Sequence, residues 1–278
     1  MRTSAARQSR AEVVAALRAA GCVFAEDEAR LLIDAAGTTD ELAAMVARRA
    51  GGLPLEHVLG WAQFWGLRIV VEPGVFVPRR RSEFLVRQAA VLARRPETAD
   101  RPPVVVVDLC CGSGAVGAAL VAELDRTDRD GSGPVPVELH AVDIDPAAVR
   151  CARRNVPPGA RVYQGDLYEP LPVGLRGRVG LLVANAPYVP TQAVALLPLE
   201  ARDYEPKLAL DGGADGLDIV RRVAAGAPEW LAPGGHLLVE TSERQAPEAV
   251  ETFAGHGLAA RAVGSREWGV TVVCGTRH

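Results

Sequence analysis

From residue 104 onward the chain alternates short β-branched apolar runs with helix-length segments, and this alternation restricts the fold more than any other feature. Val104-Val105-Val106-Val107 is continuously apolar, the pattern of a strand covered on both faces. A helical stretch over 115–124 follows, then a strand over 138–142. A helix over 146–155 comes next, with Asp145 as its cap and Pro146 at its first position. Strands are expected over 161–163 and 179–184, a helix over 215–231 and a strand over 236–240. The runs 258–263 and 270–274 read as a closing antiparallel pair. Strands alternating with helices imply an α/β fold: a doubly wound, seven-stranded, mostly parallel sheet with right-handed crossovers. The polar run 125–136 reads as a mobile surface insertion.

The first part of the chain has a different rhythm. Val13, Val14, Leu17 and Ala20 recur at helical spacing before Gly21, a second helix spans 26–36, and Thr39-Asp40-Glu41 opens a third that ends near Gly51-Gly52. We read 1–52 as a small helical docking domain and 53–78 as a β-hairpin linker closed by Pro73-Gly74. Residues 79–278 are read as the main domain, entered by a helix from Ser82, its expected N-cap, to about Leu92. Pro96 and Pro102-Pro103 then break the chain.

Charge and cysteine content narrow the function classes. A net charge of −3 without a long basic face argues against binding duplex nucleic acid. The triplet Arg79-Arg80-Arg81 lies beside the domain junction, where it can touch an acidic partner, whereas Arg153-Arg154 and Arg221-Arg222 read as solvated helix ends. The five cysteines form no Cys-x-x-Cys and have no His at ligand spacing, so no metal site is expected, and an odd count fits a reducing compartment. The first ten residues lack the apolar core of a secretory signal, and no apolar run reaches 18 residues, so a cytoplasmic location away from the membrane is expected.

Two segments carry the chemistry. Asp108-Leu109-Cys110-Cys111-Gly112-Ser113-Gly114 joins the first buried strand to its helix, where glycines let backbone N–H groups approach a ligand. The full Gly-x-Gly-x-x-Gly run and the lysine of a phosphate loop are both lacking, which favours a nucleotide-like cofactor without phosphates. Asp143, ending the second strand, is placed to accept from a ribose diol. Asp166 and Leu167, at the third strand's end, are candidates for an adenine amino group and ring, with Tyr168 next door. The second segment is Asn185-Ala186-Pro187-Tyr188, at the tip of the buried run 181–184. Asn185 Oδ1 and the Ala186 carbonyl can accept the two N–H bonds of a planar NH2 group, Pro187 can fix the backbone and Tyr188 can pack on the plane. The bland alternative is a strand-end turn.

At these residues the chain resembles the class I S-adenosyl-L-methionine (SAM) methyltransferases, which are Rossmann-like, and more closely the HemK/PrmC-type protein N5-glutamine methyltransferases. The resemblance extends through Leu53-Pro54-Leu55-Glu56-His57-Val58-Leu59-Gly60, through Val75-Phe76-Val77-Pro78-Arg79 with Glu83, and through Ala141-Val142-Asp143. It continues in Glu205-Pro206, Gly212-Gly213, Asp215-Gly216-Leu217, Leu231-Ala232-Pro233-Gly234-Gly235, Glu240 and Gln245. It implies SAM as cofactor, held by Asp108, Cys110, Gly112, Ser113, Gly114, Asp143, Asp166, Leu167 and Asn185. It also implies a release factor as protein partner, methylated on the glutamine of a Gly-Gly-Gln motif. Asn185, Ala186, Pro187 and Tyr188 would bind that glutamine, with Asn185, Pro187 and Tyr188 catalytic. Ala186 stands where the family usually has Pro, and the junction reads Pro-Arg-Arg-Arg-Ser-Glu where the family has Pro-Arg-Pro-Glu-Thr-Glu. The alternatives are methylation of an amino group on a small molecule or a nucleic-acid base, and a non-catalytic SAM-binding partner of translation factors.

Overall fold

The computed structural model describes residues 9–94, 102–126 and 133–278. Pro96 and half of the expected insertion 125–136, namely 127–132, lie outside the described residues. Helices α1 (Arg10–Ala19), α2 (Ala25–Ala35) and α3 (Thr39–Ala50) come first. α1 opens on a reciprocal capping box between Ser9 and Glu12. With the short α4 (Leu55–Leu59) these helices enclose their own core of Val13, Leu17, Ala29, Leu32 and Val46.

Strands β1 (Trp61–Phe64) and β2 (Leu67–Val70) pair antiparallel. They turn at Trp65-Gly66, both with positive φ, as the twist of a two-residue hairpin requires. The sequence had put the closing turn later, at Pro73-Gly74. Helix α5 (Glu83–Ala93) follows a single 3₁₀ turn over Arg80–Ser82. Ser82 precedes the helix as expected but makes no capping hydrogen bond, because its side chain is turned inward to a different partner.

The main sheet is built from β3 (Val104–Leu109), β4 (Val137–Asp143), β5 (Arg161–Gln164), β6 (Val179–Ala184), β7 (Leu231–Thr241), β8 (Leu258–Ser265) and β9 (Val270–Arg277). Its order is β5-β4-β3-β6-β7-β9-β8. The first five strands run parallel, and β9 joins antiparallel to both β7 and β8. This is the doubly wound, mostly parallel, seven-stranded sheet that the sequence led us to expect. Its order reverses between β3 and β6, so a crevice opens at the carboxyl ends of those strands, where ligands bind in such sheets.

Helices α6 (Ala115–Leu124) and α7 (Pro146–Asn155) follow β3 and β4. With α5 and the hairpin they cover one face, where Val106, Leu120, Leu181 and Leu238 meet. On the other face α9 (Asp218–Trp230) and α10 (Ala246–Gly255) pack on Val105, Val107, Leu182 and Val239. Adjacent valines of β3 thus enter opposite cores, which explains why that strand is apolar throughout.

Helix α8 (Leu199–Tyr204) meets the N-terminal helices. Arg49, nearly buried, pairs with Glu28 at 2.6 Å and with Glu200 of α8 at 2.7 Å. Tyr204 donates to the Gly51 carbonyl at 2.9 Å. Among the described residues no helix is long and apolar enough to cross a membrane.

Candidate active site

Between β3 and α6 the chain turns through Cys110, Gly112 and Gly114, all with positive φ. Gly114 serves packing: a Cβ there would lie 3.1 Å from that of Ala152 on α7. Gly112 faces open space, since a Cβ would meet nothing within 4 Å, and its N–H donates to Asp143 Oδ2 at 2.8 Å. Asp143 ends β4 and accepts a second bond from the Asp145 N–H at 2.9 Å. Burial raises its carboxyl above the usual range, while these two N–H groups act to lower it.

Asp108 is deeper, 1% exposed, and accepts from the Gly117 N–H at 2.9 Å, tying strand to helix. Burial pushes its carboxyl up to about 7. Ser113 is buried, and its carbonyl accepts from Asn155 at 2.8 Å. Burial raises the Cys110 and Cys111 thiols, which disfavours their thiolate forms.

Beyond β5, Asp166 accepts from Arg222 of α9 at 2.6 Å, and Leu167 is buried with φ 47°. Tyr168 turns away from them, stacks on Trp230 with ring centroids 5.7 Å apart, and donates to the Val223 carbonyl. Tyr168, next door to Leu167 in sequence, thus packs elsewhere, and Arg222, expected at a solvated helix end, instead meets Asp166. One cleft, with about 1100 Å³ of open space, takes into its wall every residue expected at the cofactor except Gly114. Phe76, Ser82 and Arg222 line it too.

β6 delivers the tetrapeptide to the same edge of the sheet. Asn185 Nδ2 donates to Ser82 Oγ at 3.3 Å, and Ala186 is buried. Tyr188 accepts from Arg81 Nη2 at 2.6 Å and donates to Glu240 Oε1 at 3.0 Å. Burial and the Glu240 carboxylate raise the Tyr188 phenol, so it stays protonated. The Tyr188 carbonyl accepts from Gln245 Nε2 at 2.9 Å, and the same amide donates to the Asp215 carbonyl at 2.8 Å. One side chain therefore staples the tetrapeptide to the turn before α9.

A second cleft of about 910 Å³ adjoins the first, with Arg81, Ala186, Tyr188 and Glu56 in its wall. Asn185 and Pro187 line both clefts. The arginine triplet meets carboxylates of its own chain: Arg79 pairs with buried Glu205 at 2.5 Å, and Arg81 Nε lies 3.4 Å from Glu240. Local patterning reads Ser82 as a helix cap, Arg81 as facing an acidic partner and Arg222 as a solvated helix end; it does not reveal their partners, which lie 56 to 107 residues away. Among the described residues no group of three or more His, Cys, Asp or Glu could hold a metal ion.

No protein-family model matches the chain. It is, however, 40% identical over 225 residues to a release factor glutamine methyltransferase of Geobacter sulfurreducens, spanning 79% of this chain and 72% of that protein. The chain belongs to the release factor glutamine methyltransferase family. Another relative is the 4-amino-L-phenylalanine/4-methylamino-L-phenylalanine methyltransferase of Streptomyces pristinaespiralis, 36% identical over 217 residues, 76% of this chain and 69% of that one. Among solved structures, a methyltransferase from Pyrococcus furiosus matches 76% of this chain and 89% of its own, with a TM-score of 0.50. At 15% identity that likeness bears on the fold alone, a Rossmann-like doubly wound sheet.

Proposed function

We propose that this protein transfers a methyl group from SAM to the side-chain amide nitrogen of a protein glutamine, that of the Gly-Gly-Gln motif in peptide chain release factors. The single observation that carries the reading is that Asn185 and Pro187 form the boundary of two adjoining clefts. A donor in one and an acceptor in the other meet at those residues.

The residues of the first cleft fit SAM. Asp143 offers a carboxylate with lone pairs to spare beside the open backbone at Gly112. Asp108, Cys110, Ser113, Asp166 and Leu167 share that wall, and Gly114 packs behind it. When bound, SAM supplies a methyl carbon made electrophilic by a sulfonium.

An amide nitrogen is a poor nucleophile, so the protein's task is placement and charge. Asn185 Oδ1 accepts one N–H of the substrate amide and the Ala186 carbonyl accepts the other, which favours positive charge developing on nitrogen. Pro187 fixes the direction of that carbonyl without needing the family's usual proline at 186. Tyr188, held by Arg81 and Glu240, packs on the amide plane. Residues 1–52 dock the protein substrate and 53–78 link them to the catalytic domain, 79–278. In support, Pro54 and Glu56 share the second cleft with Tyr188.

The likeness to an aminophenylalanine methyltransferase favours a second reading, in which the acceptor is the amino group of a small molecule. One experiment separates the two. Labelled SAM is offered with an intact release factor, its Gln→Ala variant, or 4-amino-L-phenylalanine. Label on the unaltered release factor alone is the expected result; label on the free amine alone would replace it with the second reading.

A further inference from the structure

Ser82 and Arg81 are consecutive, and each reaches one polar side chain of the tetrapeptide: Ser82 meets Asn185 and Arg81 meets Tyr188. Ser82 is 1% exposed and caps no helix. A buried hydroxyl is costly without a hydrogen-bond partner, and the partner across the chain is the Asn185 amide at 3.3 Å.

A carboxamide has nearly the same shape in its two orientations but opposite polarity. Turned one way, Asn185 presents an oxygen that accepts from an incoming NH2 group. Turned the other way, it presents its own N–H bonds to the substrate's, and the contact is repulsive. We propose that Ser82 is a positioning residue that fixes this orientation, accepting from Asn185 Nδ2 so that Oδ1 is left for the methyl acceptor. Its consequence for turnover rests on the methyl-transfer reading above, whereas the contact itself does not. Ser82 acts through Asn185, while Arg81 steadies Tyr188, so one turn at the entrance to α5 sets both polar ends of the acceptor site.

Ser82→Ala removes the acceptor and Ser82→Thr keeps it. In the full-length, ¹⁵N-labelled protein, the Asn185 side-chain NH2 resonances, identified by their loss in Asn185→Asp, should shift in Ser82→Ala and stay near their original position in Ser82→Thr. With the release factor as acceptor, Ser82→Ala should lower kcat about tenfold, with KM and SAM affinity nearly unchanged. Ser82→Thr should restore kcat, and Ser82→Ala should cost nothing further in an Asn185→Ala background. Unmoved Asn185 resonances in Ser82→Ala, or an undiminished second loss in the Asn185→Ala background, would overturn the proposal. If Ser82→Ala does not fold, Ser82→Cys, a weaker acceptor of similar size, should shift the resonances in the same direction, and a failure to do so would overturn the proposal. Absence of methyl transfer to any acceptor would defeat the functional reading, while the resonance experiment would still decide the contact.

Discussion

The two sides of the candidate site are held by different means. The cofactor loop is shaped mainly by backbone: Cys110, Gly112 and Gly114 turn the chain, and Asp143 is fixed by the N–H groups of Gly112 and Asp145. The acceptor side is made by side chains that arrive from elsewhere. Ser82 holds Asn185, Arg81 and Glu240 hold Tyr188, and Gln245 holds the Tyr188 carbonyl. A local turn needs little help from the rest of the fold. A constellation of distant side chains can be retuned one residue at a time.

The largest effect expected separates the sides outright. Asn185→Ala should cut turnover about a hundredfold or more while lowering SAM affinity far less, as seen by initial rates and calorimetry. Equal loss of both would mean that Asn185 belongs to the cofactor side. Asp143→Ala should do the reverse, weakening SAM binding about thirtyfold through loss of a charge-assisted contact, with kcat recovered at saturating SAM. A reduced kcat at saturation with unchanged affinity would contradict that role.

Gly216→Ala probes the acceptor side's packing. A Cβ there would lie 2.2 Å from the Tyr188 carbonyl oxygen and 2.3 Å from Gln245 Nε2, at a φ of +83°. We expect a loss of about 2 kcal/mol in urea unfolding. Gly112→Ala, whose Cβ would meet nothing, should cost less, and a larger loss there would reverse the contrast.

The smallest effect concerns Asp108, whose carboxyl is raised by burial from 3.8 to about 7. The folded protein then favours the protonated form. Its contribution to stability is full below the unfolded value and is lost as pH rises through about 7. Wild type should therefore lose stability relative to Asp108→Asn between pH 4 and 8, and parallel profiles would show that Asp108 does not titrate there.

The same contrast explains what the sequence made legible. The strands were readable because Val104-Val107 and Leu181-Ala184 are buried on both faces, and the cofactor loop because its glycines are contiguous with a strand and a helix. Boundaries were less so. The strand expected over 236–240 is Leu231–Thr241, because Leu231 pairs with Val179 before the turn at Pro233-Gly234-Gly235, and His236 resumes the ladder opposite Leu181. The helix expected from 215 starts at Asp218, since Asp215 instead accepts from the Leu217 N–H and closes a turn. Ser82 was read as a cap because local patterning cannot reveal a partner 103 residues away.

Donor and acceptor clefts share Asn185 in their walls, where methyl transfer between them is proposed. This arrangement is tested most directly with a bisubstrate compound in which the amide nitrogen of a glutamine peptide is joined by one carbon to a SAM analogue. The joined compound should bind far more tightly than either half, and Asn185→Ala should remove much of the gain. Binding no tighter than the SAM analogue alone would contradict it.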